Sequence, residues 1–207
     1  LGTSNLKEED CIQLESEFFR GRKLLTTTSP NNININTDWF INNENKTDYF
    51  IQMINQWGIF IENNLVLDKS CYEITLKNSN YPDDYQTLEY PFWIKTQNGI
   101  FYWPSPITYQ NKDFSAKILQ KSSELSWLKN IYTTDGNFIN TSPLNEKNLQ
   151  PQISSQGEYI LACEFNGEFA GKYNSKSVKN KFILISDQYF TSKMINYTNN
   201  IENLNFT

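Results

Sequence analysis

The sequence predicts a single α/β domain carrying a β-rich insertion, and three observations lead there. An amphipathic helix near the start is followed at once by a short apolar strand. The middle of the chain then exchanges helical periodicity for period-two alternation and Asn-Gly turns, and a solid apolar strand returns close to the end. On this reading residues 1–70 and 180–207 form the sheet-and-helix part and residues 71–179 the β-rich part. A chain of 207 residues is long enough to enclose one core of this kind.

The first helix is expected over 6–19. Asn5 can cap it, Glu8 follows three residues later, and Cys11, Leu14 and Phe18 recur at helical spacing. Gly21 supplies the stop, because glycine enters the left-handed conformation without a Cβ penalty. Residues 23–28 read as a strand closed by the turn Ser29-Pro30-Asn31-Asn32. A second helix is expected over 46–57, with Phe50, Met53, Ile54 and Trp57 as one apolar stripe and Gly58 as its stop.

Short strands follow at 59–61 and 65–67, and Tyr72, Ile74 and Leu76 alternate as a half-buried strand does. Asn98-Gly99 between 91–95 and 100–103, and Asn166-Gly167 between 159–165 and 168–173, both predict tight hairpins, since Asn-Gly meets the positive-φ demand of such turns. Residues 133–156, rich in Asn, Ser, Pro and Gln, read as a long connection. The strand at 181–186 runs into Asp187-Gln188-Tyr189-Phe190, expected to open a helix with the acidic residue at its positive end.

Composition excludes several chemistries. No histidine is present, which removes Ser-His-Asp and Cys-His hydrolysis, HExxH and Cys2His2 zinc sites and any imidazole acid/base. The net charge of −5 and the lack of a basic stripe argue against nucleic acid, whose phosphates demand dense Lys/Arg neutralisation. Asparagine fills 28 positions, isoleucine 21 and alanine three, while lysine outnumbers arginine 16 to two; a bias toward A/T-rich codons accounts for all four trends. The sequons at Asn45, Asn140, Asn196 and Asn205 follow from the same bias. Cys11, Cys71 and Cys163 form no CxxC pair and read as buried thiols, with any disulfide pairing left open.

Two sets of residues are candidate ligand groups. Asp187 stands at the carboxyl end of a strand, where open α/β sheets place ligands, and helix capping is its bland alternative. Tyr90, Phe92, Trp93, Phe101, Tyr102, Trp103 and Tyr109 cluster among Pro91, Pro104 and Pro106. From this cluster Trp93, Tyr102, Trp103 and Tyr109 are the candidates for a stacking platform for a sugar or an apolar side chain, against a reading as core. Asp83-Asp84 and Glu89 point apart on an extended chain and make a poor acid/base pair. Lys172, Lys176, Lys179 and Lys181 read as a solvated basic loop, with lipid head groups as the alternative contact. No metal-ligand spacing and no cofactor motif occurs.

Six stretches, in order, resemble one family. They are residues 8–25 (EEDCIQLESEFFRGRKLL), 57–68 (WGIFIENNLVLD), 100–107 (IFYWPSPI), 118–128 (ILQKSSELSWL), 158–173 and 181–190 (KFILISDQYF). The resemblance is to the auxiliary component of gliding-motility-type ABC transport systems. Arg22, Ser186 and Gln188-Tyr189 depart from that family's pattern.

The resemblance implies a partial class I glutamine amidotransferase-like, flavodoxin-like parallel sheet without that fold's catalysis. It also implies an extracytoplasmic, periplasmic-side domain held by transmembrane helices outside this sequence, beside a permease and an ATPase. No catalytic residue, metal or cofactor carries over, and the oligomeric state and substrate are left open. The ends agree with a soluble fragment of a longer protein: residues 1–4 read as the exit of a preceding strand and 203–206 as an interrupted apolar pattern. The alternatives are a carbohydrate- or peptidoglycan-binding module using the aromatic cluster and a carboxylate-dependent glycosidase, which needs two acids roughly 5–10 Å apart.

Overall fold

The computed structural model describes residues 2–3, 6–35, 39–42, 48–77, 85–110 and 113–198. Helix α1 (Glu8–Phe19) begins at Lys7 as N-cap, and the Asp10 carboxylate reaches back to the Lys7 N–H at 2.9 Å, so Asp10 takes the role expected of Glu8. The proposed cap Asn5 lies outside the described residues. At the other end Gly21 adopts φ +94°, the Gly21 N–H donates to Phe18 O (3.0 Å) and the Arg22 N–H to Glu17 O (3.2 Å). This paired closure satisfies two carbonyls that a helix end otherwise leaves open.

Strand β1 (Leu24–Thr27) follows, then α2 (Tyr49–Gln56), where the Asp48 side chain accepts the Ile51 N–H at 2.9 Å. All four stripe residues, Phe50, Met53, Ile54 and Trp57, are fully buried. The β-rich run comprises β2 (Ile59–Ile61), β3 (Leu65–Asp68), β4 (Cys71–Lys77), β5 (Tyr85–Thr96), β6 (Gly99–Tyr102), β7 (Ile107–Tyr109), β8 (Phe114–Lys121) and β9 (Ser126–Lys129). The long connection contains the one-turn α3 (Glu146–Leu149), a 3-10 turn at Ile153–Ser155 and the bridge residues Phe138 and Asn140. Strands β10 (Ile160–Ala170) and β11 (Ser177–Ile185) and helix α4 (Met194–Thr198) complete the order.

The main sheet runs β1-β11-β10-β8 and is mixed. β1 pairs parallel with β11 from Leu24↔Phe182 to Thr27↔Ile185, and Gly2 bridges Thr27 in the same sense. β10 is antiparallel to both β11 and β8. The expected parallel sheet therefore reduces, among the described residues, to its first members. A short loop joins β10 to β11, and a tight connection can only return the chain antiparallel. Smaller pairs β2–β7 and β3–β9 and the sheet β4-β5-β6 pack beside it.

Three local expectations need correction. Asn166-Gly167 makes no turn: β10 passes straight through it, with Asn166 opposite Lys181 and Gly167 opposite Asn180. Glycine is required there for space, since a Cβ would meet Asp113 O and Phe114 Cα at 2.4 Å each. The true hairpin lies at Gly171–Lys176, closed by the Gly171 N–H on Lys176 O (2.9 Å), so Lys179 and Lys181 belong to β11 and only Lys172 and Lys176 to a loop. Residues 187–190 form a turn, and the helix starts only at Met194. The first Asn-Gly hairpin is present as β5–β6, with Thr96 opposite Gly99.

A further ladder is built from single bridges. Ile33 pairs with Ile41, Phe40 with Asn140 and Tyr132 with Phe138, all antiparallel. The Ile41 N–H donates to Ile139 O (3.4 Å) and the Ile139 N–H to Ile131 O (2.9 Å), which joins the segments side by side. Ile33, Ile41, Ile131 and Ile139 all point into the core that holds Trp93, Trp103 and Trp127. A second core, with Phe18, Phe50, Trp57, Phe165 and Phe182, lies between α1, α2 and the main sheet.

Candidate functional site

Open α/β sheets bind ligands beyond the carboxyl ends of their parallel strands. Here those ends are Thr27 and Ile185, and the chain that follows them is polar yet buried: Thr28, Ser29 and Asn31 after β1, Ser186 and Asp187 after β11. The Thr28 N–H donates to Ile185 O at 3.0 Å, which prolongs the parallel pairing by one step.

The space above these ends is filled by the chain itself. The segment Trp103-Pro104-Ser105-Pro106 crosses it as a strap. The Ser105 N–H donates to Ser186 O (3.1 Å), Asn31 Nδ2 to Ser105 Oγ (3.2 Å), the Val66 N–H to Pro104 O (2.9 Å) and the Glu62 N–H to Pro106 O (3.0 Å). The two prolines bring no N–H of their own, so the buried strap carries two fewer donors in need of partners.

Trp103 opens the strap at φ +49°, and the neighbouring Trp39 stands at φ +61°. Both are bulky side chains in the left-handed region, each costing about 1–3 kcal/mol unless the surroundings enforce it. The enforcement at Trp103 is visible: its N–H donates to Phe92 O (2.8 Å), its indole Nε1 to Tyr90 Oη (3.1 Å), and its ring meets those of Trp39, Trp93 and Tyr189.

Asp187 is fully buried beneath this strap. One carboxylate oxygen accepts the Tyr102 N–H and the other the Tyr189 N–H, both at 2.7 Å. Burial pushes its carboxyl well above the usual carboxylate range, and the N–H bonds from Tyr102, Tyr189 and Phe190 oppose that shift. Asp187 therefore orders the turn after β11 and fastens β6 to it.

The other candidates are also placed. Trp93 is 5 % exposed, Tyr102 0 % and Trp103 1 %, so their rings are core and offer no surface for stacking. Tyr102 Oη meets Thr198 Oγ1 at 2.6 Å, which docks α4. Tyr109 is half-buried and packs edge-on against Phe114 and Phe165, in the other core and away from the Trp93 group. The five candidates thus split: Trp93, Tyr102, Trp103 and Asp187 are joined by the Trp93–Tyr102 and Trp93–Trp103 ring contacts and the Tyr102–Asp187 hydrogen bond, and Tyr109 lies elsewhere.

Other titratable groups are structural in setting. Glu15, buried on α1, accepts the N–H groups of Lys172 (2.6 Å) and Tyr173 (2.9 Å) and so clamps the β10–β11 loop. Cys11 and Cys163 are buried and Cys71 half-buried, all free thiols. Burial first, with nearby carboxylates second, pushes Cys11 and Cys71 up to about 11 and Cys163 to about 12. Thr27 Oγ1 and Thr28 Oγ1 are buried without a hydrogen-bond partner among the described residues. Among those residues no group of three or more Cys, Asp or Glu could hold a metal, and no helix is long and apolar enough to cross a membrane. Asp83-Asp84 lies outside them.

Sequence reasoning missed Thr28, Asn31 and Ser105. The available signal was the strap's own Pro-Ser-Pro, which marks a rigid segment but not what it covers.

No significant match was found among curated proteins or among solved structures. A family profile does match, described as "ABC-type uncharacterized transport system", and it covers residues 1–206. With nearly the whole chain inside that profile, the protein belongs to the auxiliary family of ABC-type uncharacterized transport systems.

Proposed function

We propose that this chain is a non-catalytic, extracytoplasmic auxiliary module of a gliding-motility-like ABC transport system, serving assembly of the complex or handling of its substrate. The observation that carries the reading is the strap. The place where an open α/β sheet would receive a small ligand is occupied by Trp103-Pro104-Ser105-Pro106, hydrogen-bonded to Ser186 and Asn31. With that crevice filled, the outer surfaces are where this reading places contact with partners. The absence of histidine from the sequence and the upward shift of all three thiols speak for the same role.

The permease and the ATPase are the partners, and transmembrane helices outside this sequence hold the module on the periplasmic side of the inner membrane. The parallel trio of Gly2, β1 and β11, with α1 crossing between the first two, supports kinship with the class I glutamine amidotransferase-like sheet. Affinity purification of the full-length protein from solubilised membranes tests the reading. Co-recovery of an ABC permease and its ATPase is expected; recovery of soluble cytoplasmic proteins without either would overturn it.

A further inference from the structure

Four segments of this chain share one pattern, an isoleucine flanked on each side by asparagine or an aromatic residue. They read Asn32-Ile33-Asn34, Phe40-Ile41-Asn42, Asn130-Ile131-Tyr132 and Phe138-Ile139-Asn140. The fold gathers all four, from distant parts of the chain, into the bridge-built ladder. Each isoleucine is at most 7 % exposed. Period-two geometry then sends the flanking residues toward the opposite face, with Phe138 half-buried and also touching the edge of the core.

That outer face has a specific chemistry. Phe40 is 41 % and Tyr132 47 % exposed, and Phe138 lies stacked on Tyr132 with ring centroids 5.0 Å apart and planes at 26°. Asn140 sits directly opposite Phe40, beside this stack. The Oδ1 atoms of Asn130 and Asn140 accept the N–H groups of Tyr132 (2.9 Å) and Ser142 (2.6 Å), which fixes each amide plane and leaves its Nδ2 as a donor. Coding bias can raise the number of asparagines, but it does not confine them to one face of a ladder.

None of the outward positions in these four segments is charged. A nucleic acid, an acidic lipid surface or a charged peptide would find no countercharge there. A hydrophobic protein partner would meet amides at most of the positions. Rings interleaved with amides suit a sugar chain, whose C–H faces lie on aromatic rings while its hydroxyls exchange hydrogen bonds with amide groups. The inner isoleucines hold the face rigid, so little side-chain freedom is lost on binding.

We propose that this face binds an uncharged polysaccharide, with Phe40 and Tyr132 stacking on pyranose rings and Asn42 and Asn140 bonding their hydroxyls. The site is distinct from the buried Trp93–Trp103 group and does not depend on the transport partners. Native gel electrophoresis of the 207-residue chain through hydroxyethylcellulose, laminarin or mannan tests it, with heparin gels as the charged contrast. At least one neutral polymer should retard the chain. Phe40→Ala and Tyr132→Ala should each weaken that retardation roughly fivefold, Tyr132→Phe should keep it, and circular dichroism should show all three variants folded. No retardation by any neutral polymer, retention on heparin alone, or unchanged retardation in both folded alanine variants would each overturn the proposal.

Discussion

The carboxylate of Asp187 accepts the backbone N–H of Tyr102 at 2.7 Å and so joins the end of β11 to β6 across 85 residues of sequence. It ties the main sheet to the aromatic core of the smaller one. Its consequences are measurable in two ways. Asp187→Ala leaves the Tyr102 and Tyr189 N–H groups buried without their acceptor and should cost about 2–5 kcal/mol in urea unfolding.

Asp187→Asn separates charge from shape. Because the folded-state carboxyl titrates above its unfolded value, the folded chain binds the extra proton, and wild-type stability falls as pH rises from the ordinary Asp range through the raised one. Asparagine has no such slope. The urea midpoint of the variant should therefore gain on wild type as pH rises from about 4 toward neutrality; a difference constant with pH would contradict the assignment.

Gly167 is a test of close approach as opposed to turn formation. With Asp113 O and Phe114 Cα each 2.4 Å from where a Cβ would stand, Gly167→Ala must push β10 and the start of β8 apart. A loss of about 1–3 kcal/mol in thermal or urea unfolding is expected, and a neutral result would show that the two strands are not in register there.

Glu15 holds the Lys172 and Tyr173 N–H groups from a buried position on α1. Glu15→Ala should destabilise the chain by about 2–4 kcal/mol. Hydrogen exchange should accelerate first at the amides of 172 and 173, and equal acceleration throughout the chain would argue that no local clamp exists.

The thiols should report burial directly. At pH 8 a disulfide reagent should modify the half-buried Cys71 slowly and leave Cys11 and Cys163 untouched until urea exposes them. Rapid modification of all three in the native state would contradict the two buried positions.

Much of the framework was legible because it rests on local rules. Gly21 and Gly58 end their helices at positive φ, the stripe from Phe50 to Trp57 is buried whole, and β1 and β11 appear where apolar runs stand. What escaped was set by distant chain. Asn166-Gly167 has the composition of a hairpin, but the neighbouring β8 demands an extended glycine there. Asp187 has the look of a helix opener, yet Tyr102, 85 residues away, claims its carboxylate and the turn goes no further. The site was half legible: Trp93, Tyr102, Trp103 and Asp187 do converge, but alternation along a strand cannot say whether a ring faces solvent or a second sheet. The isoleucine ladder escaped altogether, since its three-residue segments come in two close pairs that lie about ninety residues apart.

The distribution of tryptophan gives this fold a divided optical record. Trp39 and Trp93 each stand within 6 Å of Trp103 by ring centroid, Trp93 and Trp103 nearly perpendicular at 89°, whereas Trp57 belongs to the core under α1 and α2. Trp39 and Trp93 are close enough to Trp103 to share excitation with it, whereas Trp57 packs against the rings of Phe18, Phe169 and Phe182. Loosening of the strap region thus extinguishes a coupled circular-dichroism band while Trp57 still fluoresces from an intact environment, and the order of the two losses tells which half of the molecule yields first.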